Sequence, residues 1–280
     1  MKLSKKASPY WLSAHNGSRI IFGLLHNLVC LCSFQEYEIG RAKLKLNKAT
    51  QNYQGYTAGI EALQTAMILL LFNILETTSN FLAALAVNTN HGLHGAPKVI
   101  SPLSQPEIDL LTEQRIYVDH RTGNLQTSSS VFTPVLDKLA LVPLILGRLH
   151  GITFRLDKKQ NEWRLIRRLK DMRDKIIHLR PDFSHLTEQE IVKPSVRITN
   201  EDIFLGTVAI RWYIKQITKL LQEMFRGKNK NLIKGYLTLD FQCFIILDNL
   251  RKFCTIRKSR FLRDHELPKL LKSKMRASRS

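Results

Sequence analysis

The chain has 280 residues, enough for one large domain or two small ones with a real core. Apolar residues make up 44% and charged residues 24%, a globular composition that argues against disorder outside the ends. Lys and Arg number 43 against 23 Asp and Glu, a net charge of +20 that no fold requires. A polyanionic partner explains it directly, with RNA or DNA first and anionic lipid as the competitor.

From the N-terminus, Lys2, Lys5 and Lys6 are followed by Pro9, His15, Asn16 and Arg19, a poor signal peptide. Residues 18–48 read as one or two helices, and residues 57–87 as a long Ala- and Leu-rich helix without Pro. His26 and Asn27 interrupt the apolar run Ile20–Phe34, and Asn73, Glu76 and Asn80 lie in or beside Met67–Leu75. Both runs fall short of the roughly twenty apolar residues that a span needs. Both are therefore expected to be buried helices, with no stable membrane insertion. Cys30 and Cys32 are too close for an ordinary disulfide, and with Cys243 and Cys254 they form no CxxC pair. Buried, reduced thiols in a cytoplasmic protein are expected, with no metal site and no cofactor. Gly92, Gly95, Pro97, Pro102 and Pro106 break residues 88–106 into a loop. In it, His91-Gly-Leu-His94 has metal-like spacing but no Cys or carboxylate beside it, and reads as a loop tip.

Residues 115–131 look like a small β-hairpin turning at Gly123. Helices resume at about 133–150, 160–180 and 201–226, the third capped by Thr199, Asn200 and Asp202 and packed through Trp212, Tyr213 and Phe225. Residues 229–271 read as two more helical pieces. The last segment is the most basic: residues 226–280 hold fifteen Lys and Arg against Asp240, Asp248, Asp264 and Glu266. Lys269–Ser280 has no acidic residue and is expected to make loose phosphate contacts.

The informative segment is 161–181. Leu165, Leu169, Met172, Ile176 and Leu179 fall on one stripe, which is the expected core face, and Pro181 stops the helix. At about 100° per residue, His178 points away from that stripe, Asp174 lies one turn earlier on the same side, and Arg173 lies on the flank. Arg164, Arg167, Lys170 and Arg180 surround them as candidate nucleic-acid contacts. An Arg that clamps a phosphate and a His that moves a proton can cleave RNA without a metal, because the ribose 2′-hydroxyl is the nucleophile. The same Arg-to-His spacing recurs at Arg115/His120, Arg180/His185 and Arg260/His265. Only Arg173/His178 combines it with a strong amphipathic helix, an adjacent acid and two apolar residues before the His.

Arg-Asp-Lys-Ile-Ile-His resembles the Arg-polar-x-x-x-His signature of HEPN domains (higher eukaryotes and prokaryotes nucleotide-binding). Residues 74–80, Ile-Leu-Glu-Thr-Thr-Ser-Asn, look like the long N-terminal helix of that family, and Leu136–Gly147 is similar to the helix before its signature helix. The resemblance implies a helical bundle, a homodimer with signature helices facing across a basic cleft, and metal-independent RNA cleavage in defence or RNA processing. It implies catalytic roles for Arg173, His178 and Asp174, accessory roles for Glu76 and Asn80, and possible control by an antitoxin or other protein inhibitor.

The expected architecture is thus mainly α. It comprises an N-terminal helical region (1–56), a HEPN-like bundle with a small β-hairpin insertion (57–225), and a basic helical C-terminal extension (226–280). The expected function is RNA cleavage through 2′-hydroxyl attack. A non-catalytic RNA- or DNA-binding protein and a peripheral membrane or assembly factor using the basic C-terminus are the alternatives.

Overall fold

A computed structural model describes residues 9–46, 53–91, 97–113, 116–118, 121–127, 133–177, 198–225 and 230–251. Within them the chain is mainly helical. Two long helices come first, α1 (Pro9–Leu46) and α2 (Tyr53–Asn90), then a short α3 (Gln105–Thr112). Four more follow: α4 (Val135–Leu149), α5 (Asn161–Ile177), α6 (Asn200–Phe225) and α7 (Lys230–Arg251). Between α3 and α4, β1 (Ile116–Val118) and β2 (Leu125–Thr127) pair antiparallel, Ile116 opposite Thr127.

α1, α2, α6 and α7 form a ring in which each helix packs against the next. Its centre is filled by Leu25, Leu28, Leu71, Ile74, Tyr213, Ile217, Cys243 and Leu247, all essentially inaccessible. α4 and α5 cover the α2/α6 side. Gly206 permits the close approach there, since a Cβ at that position would lie 3.1 Å from Leu71 Cδ1 and 3.4 Å from Leu169 Cδ1. Arg211, buried on α6, is tied to Asp240 of α7 by Nε–Oδ1 (2.7 Å) and Nη2–Oδ2 (3.4 Å) hydrogen bonds. Its guanidinium also lies over Phe244.

Local chemistry sets the helix ends. The Thr199 hydroxyl and backbone N–H donate to Asp202 Oδ2 (2.7 and 3.0 Å), and the Asp202 N–H donates back to Thr199 Oγ1 (3.3 Å). That is the reciprocal cap expected of these residue types. Asn200 acts differently: its Oδ1 accepts from Gln35 and Gln64, pinning the start of α6 to α1 and α2. The helix α3 was not expected beside so many Pro and Gly. Its signal is the capping box Ser104-Gln-Pro-Glu107, in which the Ser104 N–H donates to Glu107 Oε2 (2.8 Å). Arg148 of α4 also donates to that oxygen (2.6 Å).

α4 contains Pro143, which cannot donate to the carbonyl of Leu139 one turn earlier. The Tyr213 hydroxyl of α6 donates to that same oxygen (3.2 Å). A break in one helix thereby becomes a fastening between two.

Two expectations need correction. The run Ile20–Phe34 is not a fully buried helix. α1 sends Ile21, Leu25, Leu28 and Cys32 into the core but leaves Ile20, Phe22 and Phe34 exposed, because it lies at the rim of the ring and only one face meets other helices. For the same reason Cys30 is exposed, with its Sγ 3.8 Å from His26 Nε2, whereas Cys32 and Cys243 are buried. Burial pushes the Cys32 thiol up to about 12 and raises that of Cys243. Cys254, His94 and everything after residue 251 lie outside the described residues. In a Cys254→Ser background, one thiol, Cys30, is expected to react promptly with a maleimide in the native protein and three after unfolding. Prompt native labelling of Cys32 or Cys243, read by mass spectrometry, would contradict this packing.

Candidate nucleic-acid interface

α5 lies against both α2 and α6. Trp212 Nε1 donates to Gln160 at the start of α5 (2.7 Å), and Arg168 near its middle pairs with Asp202 at the start of α6. α5 therefore runs antiparallel to α6. Gln64 beside Asn200 and Leu71 beside Gly206 show that α6 runs parallel to α2.

The buried face of α5 is not centred where the apolar stripe predicted. Glu162, Trp163, Ile166 and Leu169 are buried, while Leu165, Met172 and Ile176 are only partly covered, and Leu179 lies outside the described residues. Because two helices grip α5 from adjacent sides, the inward row becomes Glu162, Ile166 and Leu169 at helical spacing. The next member of that row is Arg173, which corrects its expected place on the flank.

Arg173 consequently lies down on α2. Its guanidinium carbon is 5.1 Å from the centre of the Phe72 ring, and Nη1 donates to Asp174 Oδ1 (3.1 Å). The side chain keeps 28% exposure, and a guanidinium has five N–H donors, so capacity for a further acceptor remains. Lys170 Nζ donates to the other oxygen, Asp174 Oδ2 (2.5 Å). Burial alone would raise the Asp174 carboxyl, but the Lys170 and Arg173 hydrogen bonds and charges outweigh it and hold it below the usual carboxylate range. Asp174 thus stays ionised and orients both cations.

Around this trio the helix is basic and open. Arg164, Arg167 and Lys175 are exposed, as are Arg155, Lys158 and Lys159 in the segment leading into α5. Lys158 lies over the Trp163 ring, 5.7 Å from its centre. Neither Arg164 nor Arg167 forms an ion pair with a described residue. Asp157 and Asp171 are the exposed acidic residues on the same stretch, so a positive surplus remains.

No family model, no curated protein and no solved structure matches the chain. The site is thus read from its own geometry. His178 and Arg180 lie outside the described residues. Glu76 is half-buried on α2, one turn beyond Phe72. Asn80 is a turn further, about 12 Å along the axis from Phe72 at 1.5 Å per residue. Its Oδ1 accepts from Lys138 Nζ (2.9 Å), and Lys138, itself buried, also pairs with Glu113 (2.8 Å). Since α5 is antiparallel to α2, its C-terminal end heads toward the N-terminal half of α2, away from Asn80. The structure thus gathers Lys170, Arg173 and Asp174, leaves Glu76 one turn away, and sets Asn80 in a clamp joining α2, α3 and α4. Phe72 and the Arg155–Lys159 cations were missed from the sequence. Basic residues just ahead of a basic helix were a usable signal for the latter, whereas nothing local marks Phe72. Among the described residues, no three His, Cys, Asp or Glu side chains gather as a metal-binding group.

Proposed function

We propose that the protein is a metal-independent endoribonuclease on a HEPN-like helical bundle, with the β1–β2 pair as an insertion. RNA lies along the cationic face of α5, where Arg164, Arg167 and the Arg155–Lys159 segment neutralise phosphates without reading bases. At the C-terminal end, Arg173 holds the non-bridging oxygens of the scissile phosphate. The 2′-oxygen attacks the neighbouring phosphorus and the bond from phosphorus to the 5′-oxygen breaks. His178 takes the 2′ proton or gives one to the leaving oxygen, and water makes the other transfer. The products carry a 2′,3′-cyclic phosphate and a 5′-hydroxyl. A cytoplasmic homodimer, held in check by a protein inhibitor, completes the proposal.

The observation that supports this reading best is the state of Arg173: stacked on Phe72, oriented by an ionised Asp174, and still partly open in a cationic surround. Such an Arg is prepared for a phosphate before one arrives. Full-length protein is expected to cleave RNA in EDTA, and His178→Ala to stop it while leaving RNA affinity within about twofold. Equal cleavage by His178→Ala removes the mechanism. Salt-sensitive RNA binding with no cleavage by the wild type assigns the same face to a non-catalytic binding protein instead.

A further inference from the structure

We propose that the side of the bundle formed by α1 and α7, opposite the cationic α5 face, is an adsorption surface for anionic lipid membranes. The four-helix ring has α4 and α5 packed on its α2/α6 side. Among the described elements, α1 packs substantially only on α2 and α7, and α7 only on α6 and α1, so no described element covers the α1/α7 side.

That side is where the large exposed apolar side chains concentrate. On α1 they are Ile20 (56% exposed), Phe22, Phe34 and Tyr37 (62%), and on α7 they are Leu237 and Phe241. From Ile20 to Gln35 the sequence of α1 has no charged residue, although the chain as a whole carries +20. In the sequence Arg19 precedes that stretch, and Glu36 and Glu38 follow it ahead of Arg41, Lys43 and Lys45, so cations still outnumber acids at its ends. An uncharged, aromatic-bearing stretch of helix whose sequence ends carry a cationic surplus matches the interface of an anionic bilayer. Rings enter the headgroup boundary there while cations meet lipid phosphates and carboxylates.

Charge decides between the two obvious occupants. The proposed homodimer closes across the α5 cleft, where RNA would neutralise the facing cations. On the α1/α7 face, with no polyanion between them, another copy bringing a further +20 is repelled, whereas an anionic surface is attracted by the same charge. Burial decides between adsorbing and crossing. Contrary to the shorter runs read from the sequence, the helical segments Arg19–Tyr37 and Ile60–Asn90 are long and apolar enough to span by length and composition. However, Ile21, Leu25 and Leu28 of the first and most of the second are committed to the protein core. Insertion would strip that core, while surface contact uses only what is already exposed.

The test is flotation of the full-length protein with vesicles of phosphatidylcholine alone or with phosphatidylserine added. The wild type is expected to float with the serine-containing vesicles and to stay behind with the neutral ones. Phe34→Ser with Tyr37→Ser, at two exposed positions and with folding checked by circular dichroism, is expected to weaken that partitioning by roughly tenfold. No flotation with anionic vesicles overturns the proposal. So does flotation that the double variant leaves unchanged, because basic segments alone then suffice. Sedimentation showing a dimer that the double variant converts to monomer also overturns it, by giving the face to a second copy.

Discussion

Arg173→Ala is expected to slow RNA cleavage by roughly a hundredfold or more, the usual cost of removing one donor aimed at transition-state charge. The fold should survive, because what the Arg contributes to stability is modest: a stacked contact on Phe72 worth about 0.5–1 kcal/mol and a partly exposed bond to Asp174. Arg173→Lys separates charge from shape. A Lys retains the cation but loses the planar fork and the stack, so it should recover only a minor part of the rate. Asp174→Asn should fall between wild type and Arg173→Ala, since it releases the guanidinium without removing it. If Arg173→Lys matches the wild type in single-turnover cleavage, the oriented guanidinium has no special role.

Tyr213→Phe is expected to destabilise the protein by about 1–3 kcal/mol, the penalty for leaving a buried acceptor without its donor. The lost atom is one oxygen, fully buried, whose hydrogen bond goes to Leu139 O. That carbonyl needs it because Pro143 supplies no N–H. The two effects are therefore coupled. In a Pro143→Ala background residue 143 regains a donor for Leu139 O, and the cost of Tyr213→Phe should shrink by about 1 kcal/mol in a double-mutant cycle. Urea unfolding of the four proteins measures this, and strict additivity would show that the hydroxyl does not substitute for the missing amide.

These cases show what could be read in the chain and what could not. The ranges of α4 and α6, and the Thr199/Asp202 cap, were legible because propensity and capping act within a few residues. The packed roles of Trp212, Tyr213 and Phe225 followed from their place in a dense apolar helix. α3 was legible in principle through Ser104 and Glu107 but was hidden among residues that usually break helices. The inward turn of Arg173 was not legible. The apolar stripe of α5 points one way, and only contact with both α2 and α6 rotates the buried row onto Trp163 and Ile166. The exposure of Phe34 and Cys30 depends likewise on which helices reach α1, and the bond from Tyr213 to Leu139 joins residues 74 apart. Such facts belong to tertiary contact, which no local pattern encodes.

The proposed chemistry comes down to one atom of the substrate, the ribose 2′-oxygen. The direct measurement maps a cleavage position in a defined RNA, in EDTA, and repeats the assay with a single 2′-deoxy sugar on the 5′ side of that bond. Cleavage should vanish at that position alone, and the unmodified RNA should yield 2′,3′-cyclic phosphate and 5′-hydroxyl ends. Undiminished cutting at the deoxy position, or 5′-phosphate ends, would contradict the account.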